Sequence, residues 1–198
     1  MARAIIEQIR ARFNEAAGSL RVITFLSPTC GPCRYGQGIV RALFEQFPDR
    51  KLAGYVVWVP MLTGDNARSA MREQSAVSDP RLHFWFDRDR AAARAWSSFI
   101  ALPTPTWDVY AIHDELARWD DAAHPPAPRI WMHQLNDTSA TRETDRLDVA
   151  RLAREWLRLL GDDPTREVEL AATLHAKGQS VAARDDSAKP SLDRVPRS

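Results

Sequence analysis

The chain has 198 residues, with 27 Lys and Arg against 26 Asp and Glu and a net charge of +1. That balance excludes a strong field aimed at nucleic acid or an anionic membrane, and no run of about 18 apolar residues exists to span a bilayer. The length suits one domain with decorations or a domain plus a tail, with enough apolar residues for a core.

Residues 2–17 read as an amphipathic helix, with Ile5, Ile6, Ile9, Phe13 and Ala16 on one face. Glu7, Arg10 and Arg12 interrupt the apolar residues, so the segment does not read as a signal peptide. The chain holds only two cysteines, so no disulfide framework is implied. The expected location is the cytoplasm. After Gly18-Ser19 the apolar run 20–26 predicts a strand, and 34–47 predicts a helix closed by Pro48-Asp49.

Between them stands Cys30-Gly31-Pro32-Cys33. Two thiols two residues apart, set between strand and helix, read as a thiol–disulfide exchange site. The unpaired N–H groups of the helix start favour a thiolate on Cys30, which can then titrate near neutrality instead of about 8.5. Pro32 falls in the first turn, where its missing N–H costs nothing, and Gly31 leaves the approach to the sulfur open. A zinc half-site is the competing reading, but it needs two more ligands. His83, His113, His124, His133 and His175 are scattered, and no metal is assigned. Cys30 is expected to be the exposed, reactive thiol and Cys33 the shielded one.

Residues 52–60 predict a strand covered on both faces. Asp65 is a plausible N-cap for a helix to about Ser75, 81–86 a third strand, and Asp87 an N-cap for a helix over 88–99. Leu102-Pro103-Thr104-Pro105-Thr106 precedes a strand over 107–112, and 116–119 is expected to return as its antiparallel partner. Residues 129–135 read as a strand or a packed loop. Residues 147–160 predict a strong helix stopped by Gly161, and 162–176 a weak one. From about Lys177 the composition is polar, and the chain is expected to be disordered and dispensable for folding and exchange. The expected organisation is an N-terminal helix, 1–17, packed on a domain, 18–161, with a C-terminal extension, 162–198. Trp58, Trp85, Trp96 and Trp156 fit core faces.

The segment Ser27-Pro-Thr-Cys-Gly-Pro-Cys-Arg34 resembles the active-site segment of thioredoxins. The order of elements resembles a thioredoxin fold, an α/β arrangement with a central mixed sheet flanked by helices. One extra strand and helix stand before the proline loop. With Phe84-Trp-Phe-Asp87 and Leu102-Pro103-Thr104 this extension is similar to the TlpA-like and peroxiredoxin-like branch. The resemblance implies that Cys30 attacks and Cys33 resolves. It also implies a cis proline beside the pair, for which Thr104–Pro105 is favoured over Leu102–Pro103, with Trp107 lining the substrate groove. It implies a disulfide-containing protein or small thiol as substrate, a cellular reductant and no cofactor. Two other readings stand beside it: a thiol peroxidase, with Arg34 polarising the peroxide, and a redox-sensitive binding module that uses the surface 107–135. His133 is a possible proton relay to Cys33. The sequence departs from the family where many thioredoxins bury an acid, six residues before the first cysteine. That position is Thr24, so no carboxylate is identified to take the Cys33 proton.

Overall fold

Alternation along the strands decides which residues meet. In a computed structural model describing residues 2–100, 105–121, 124–135 and 143–183, five strands form one sheet in the order β3-β2-β1-β4-β5. These are β1 (Leu20–Leu26), β2 (Leu52–Trp58), β3 (Leu82–Phe86), β4 (Val109–His113) and β5 (Ile130–His133). The first three run parallel, β4 is antiparallel to β1, and β5 is antiparallel to β4. Successive side chains of a strand point to opposite faces. Leu20, Val22 and Leu26 of β1, Val56 and Trp58 of β2, and Tyr110 and Ile112 of β4 accordingly enter one core. Ile23 and Phe25, Tyr55 and Val57, and Val109 and Ala111 enter the other. Both faces are covered, as expected for strands so continuously apolar.

On the first face lie α2 (Gly31–Gln46), α3 (Ala67–Ser75), α5 (Val149–Leu160) and α6 (Glu167–Ala182). On the second lie α1 (Ala2–Glu15), with Ile9 and Phe13 buried, and α4 (Ala91–Phe99). Single 3-10 turns occupy Glu143–Asp145 and Pro164–Arg166. Among the described residues no helix is long and apolar enough to cross a membrane. Trp58, Trp96 and Trp156 are fully buried, whereas Trp85 is half-buried and stacks on Tyr55.

The structure redraws three expectations. The partner of β4 is β5, not 116–119. Leu116 is exposed, and the backbone of Trp119 is instead engaged by Asn14 of α1, which accepts from its N–H and donates to its carbonyl. The cap of α3 is Asn66, in a reciprocal pair with Ser69, while Asp65 turns to the loop before it. The extension does not become irregular at Lys177, because α6 runs to Ala182. Its buried face is Leu170, Leu174, Gly178 and Val181. There α6 touches α2 backbone to backbone: a Cβ at Gly38 would sit 2.8 Å from both the Gly178 Cα and the Lys177 carbonyl oxygen. The Tyr35 hydroxyl meets His175 Nδ1 at 2.7 Å, and Lys177 pairs with Glu45 at 2.7 Å beside this contact. Residues 184–198 lie outside the described residues.

Under α1 the Arg21 guanidinium is wholly buried, donating to the carbonyls of Phe13 and Asp114 and covering the Phe13 ring at 4.2 Å. His113 is buried beside it, edge-on to Phe13 at 5.2 Å and to Trp96 at 6.1 Å.

Candidate active site

Strand β1 delivers the chain to the start of α2 through Ser27, Pro28 and Thr29, and Asp65 fixes this turn. Its carboxylate accepts from the Ser27 hydroxyl at 2.7 Å, from Thr29 N–H at 3.0 Å and hydroxyl at 2.7 Å, and from the N–H groups of Met61 and Leu62 at 2.8 Å. Burial alone would raise its pKa, but these donors outweigh it and hold Asp65 below the usual carboxylate range. Removing one buried acceptor with several donors costs about 2 kcal/mol. Asp65→Ala is expected to destabilise by about that much and to slow alkylation of Cys30, because the turn before it loosens. Urea unfolding and timed labelling check this, and unchanged labelling would refute the positioning role.

Cys30 is the N-cap of α2, with φ −83° and ψ 123°, and its sulfur accepts the Cys33 N–H at 3.4 Å. Hydrogen bonding from the Cys33 thiol, with help from the Cys33 N–H, lowers the Cys30 pKa against burial and the nearby charges of Asp108 and Asp65. The two thiols are free in this structure. Cys30 is only 6 % exposed and Cys33 is not exposed at all. Cys30, expected to be the exposed thiol, is thus itself buried, and only a narrow window of its surface is left open. Beside that window Gly31 and Pro32 are exposed, and a Cβ at Gly31 would meet nothing within 4 Å. Burial pushes the Cys33 pKa well up, reinforced by its hydrogen bond to Cys30 and by Asp108.

Asp108 immediately precedes β4 and shares the face of Tyr110 and Ile112. It is 2 % exposed, and its backbone is left-handed, with φ 53°. Its Oδ1 accepts from the Tyr110 hydroxyl at 2.8 Å and from Gln134 Nε2 at 3.0 Å. Gln134, just past β5, also donates to the Pro32 carbonyl at 2.8 Å, tying the motif to β4. A carboxylate oxygen of Asp108 and both sulfurs lie within 4.8 Å of one another. Burial raises the Asp108 pKa despite hydrogen bonds from Tyr110, Gln134 and Cys33. This is the one His, Cys, Asp and Glu cluster of three among the described residues close enough to share a cation. It is one short of the four protein ligands of a closed zinc site.

The solution structure of a thioredoxin-like protein in the oxidized form aligns with 76 % of this chain and 83 % of its own, at 17 % identity and a TM-score of 0.50. The fold is thioredoxin-like. The structure of MTB dsbF in its mixed oxidized and reduced forms aligns with 74 % of this chain and 84 % of its own, at 16 % identity and a TM-score of 0.45. No family model and no curated protein matches the chain. The resemblance read from the motif thus holds at the level of the fold, and the TlpA-like or peroxiredoxin-like branch stays a matter of resemblance.

In this thioredoxin-like fold β3 and α4 form the extra strand and helix before the proline segment. Both candidate cis bonds, and Thr104, fall outside the described residues. Pro105 is half-buried, Thr106 donates its N–H to the Ala93 carbonyl, and Trp107 is half-buried against both cores. The structure brings Cys30, Gly31, Pro32 and Cys33 together. His133 stands with the opposite core from the thiols, in register with Val109 and against the Trp131 ring, and its Nδ1 accepts the Leu135 N–H. Arg34 is buried and pairs with Glu73 of α3 at 3.4 Å. Sequence reasoning missed Asp108, Tyr110 and Gln134. Their signal was a carboxylate in step with Tyr110 and Ile112 on an otherwise apolar strand face.

Proposed function

We propose that this chain is a thiol–disulfide oxidoreductase. Its substrate is a disulfide in a protein or small molecule, and a cellular reductant restores the pair. The observation that carries this is the asymmetry of the two thiols: one caps a helix and receives N–H and thiol donors, the other is sealed beneath it. The Cys30 thiolate attacks one sulfur of the substrate disulfide, displaces the other as thiolate and forms a mixed disulfide. The Cys33 sulfur then attacks Cys30, expels the second substrate thiolate and leaves Cys30–Cys33 oxidised. Thr104, Pro105 and Trp107 are proposed to border the groove that holds the substrate backbone. The peroxidase alternative stands beside this reading, with Arg34, its candidate for polarising a peroxide, buried and paired with Glu73.

Limiting iodoacetamide at neutral pH is expected to label Cys30 over Cys33, and the labelling midpoint of Cys30 is expected below the ordinary cysteine value, since its pKa is lowered. The thiolate fraction therefore falls only as pH drops through that lower midpoint. Cys30→Ser should abolish insulin reduction, and Cys33→Ser should accumulate mixed disulfide. Dominant labelling of Cys33, or full insulin reduction by Cys30→Ser, refutes the assignment. Peroxide consumption run in parallel separates the peroxidase.

A further inference from the structure

Asp108 is the buried charge that the exchange steps above leave without a task. Burying a carboxylate is unfavourable unless it is compensated, and a left-handed backbone at a non-glycine residue is strained. Both features occur at one residue, and its carboxylate lies within 4.8 Å of the Cys33 sulfur. An apolar side chain would fill this position beside Tyr110 at less cost. The Tyr110 hydroxyl and Gln134 amide hold one carboxylate oxygen in place.

Thr24 lies on the same face, directly across from Tyr110 in the β1–β4 ladder. Where β1 has no acid, a carboxylate reaches the sulfurs from the residue just before the neighbouring strand.

We propose that Asp108 is a catalytic residue that takes the proton from the Cys33 thiol when the mixed disulfide is resolved. The proposal rests on the exchange reading above. The step balances as follows. The Cys33 S–H bond breaks, its proton passes to the Asp108 carboxylate, and its electron pair stays on sulfur. That sulfur bonds to Cys30 as the Cys30–substrate S–S bond breaks, and the substrate sulfur leaves with the bonding pair. Asp108 then returns the proton to the departing thiolate. The cysteine pair is oxidised by two electrons and the substrate disulfide is reduced by two. The titratable groups facing Asp108 are Cys30 and Cys33 from α2 and Tyr110 from β4. Gln134 is a positioning residue, since it joins the Asp108 carboxylate, the Tyr110 hydroxyl and the Pro32 carbonyl.

The test follows the reduced protein against excess dithio-bis-nitrobenzoate, whose thiolate absorbs visible light. Attack by Cys30 releases one thiolate and resolution by Cys33 a second, so one trace reads both steps. Asp108→Asn suits the backbone, because Asn tolerates the left-handed region. It should still deliver the first release while slowing the second by about 100-fold near neutral pH. The slow rate should climb with pH as Cys33 ionises unaided. Formate should restore the second release in Asp108→Gly, which keeps the backbone geometry and leaves a gap where the carboxylate was. Tyr110→Phe, which removes one donor from the carboxylate, should move the pH profile of the second release upward. That measurement decides the matter if neither Asp108 variant folds. A second release in Asp108→Asn at the wild-type rate and with the wild-type pH profile overturns the proposal. So does a slow second release that formate leaves untouched. Loss of the first release would instead overturn the exchange reading itself.

Discussion

Gly38→Ala is expected to destabilise the protein by about 3 kcal/mol, at the upper end of ordinary overpacking. The new Cβ would sit 2.8 Å from the Gly178 Cα and from the Lys177 carbonyl oxygen. Both are backbone atoms, so no rotamer change relieves the contact, and α6 must move off α2. In a domain of this size such a loss lowers Tm by roughly 6–12 °C. Gly31→Ala is the matched comparison, because its Cβ meets nothing within 4 Å, and its effect is expected within about 0.5 kcal/mol. Truncation after Lys177 should also destabilise, since it removes Gly178 and Val181 from the buried face of α6. Thermal unfolding of the three variants checks this. A Gly38→Ala protein as stable as the parent would mean that α6 does not dock as described.

Acid should weaken the fold through His113 well before the carboxylates titrate. Burial, with the Arg21 charge beside it, lowers the His113 pKa from 6.5 to about 3, against the opposing pull of Asp114. Above about pH 6.5 the imidazole is neutral in both folded and unfolded chains, and the contribution is fully present. Between there and about pH 3 the unfolded chain takes a proton that the folded chain refuses. Stability therefore falls with pH by about 1.4 kcal/mol per unit, to a total on the order of 5 kcal/mol. Asp65, Asp79 and Asp114, whose pKa values are lowered, add losses only at more acid pH. Urea unfolding between roughly pH 4.5 and 6.5 reads this slope, to which His83, whose pKa burial also lowers, adds and which Asp108, whose pKa burial raises, opposes. His113→Phe should flatten the slope across that window, and an unchanged slope would assign it to other groups.

Much of this architecture was legible because the core strands are apolar on both sides and bounded by clear stops. Val56 and Trp58 against Tyr55 and Val57 show how a buried parallel strand fills two cores at once. The motif was legible because helix and strand flank it at the required places. The pairing of β4 was harder. Leu116-Ala-Arg-Trp119 has the letters of a strand, and only the tertiary contact with Asn14 shows that its backbone is already occupied. The end of α6 was hidden because the composition from Lys177 onward is polar, and the residue that docks there, Gly178, carries no side chain to mark a buried face. In three dimensions it is the clearance that Gly38 and Tyr35 need. The acid of the site was hidden for a related reason. It was sought on β1, where Thr24 stands, and it comes from the residue that leads into the strand paired with β1. Nothing local to Asp108 announces the thiols that it faces.

If the thiols exchange disulfides and Asp108 takes the proton, as proposed, electron traffic and proton traffic fall to different stretches of one chain. Residues 30–33 carry the first and residues 108–134 the second, joined by the register of β1 on β4 from Arg21 opposite His113 to Phe25 opposite Val109. A slip of one residue would turn Asp108 and Tyr110 toward the opposite core. During synthesis the thiols emerge long before their base. In a half-made chain neither the burial that raises the Cys33 pKa nor the Asp108 carboxylate is in place, so the sealed thiol and the acid beside it arrive together.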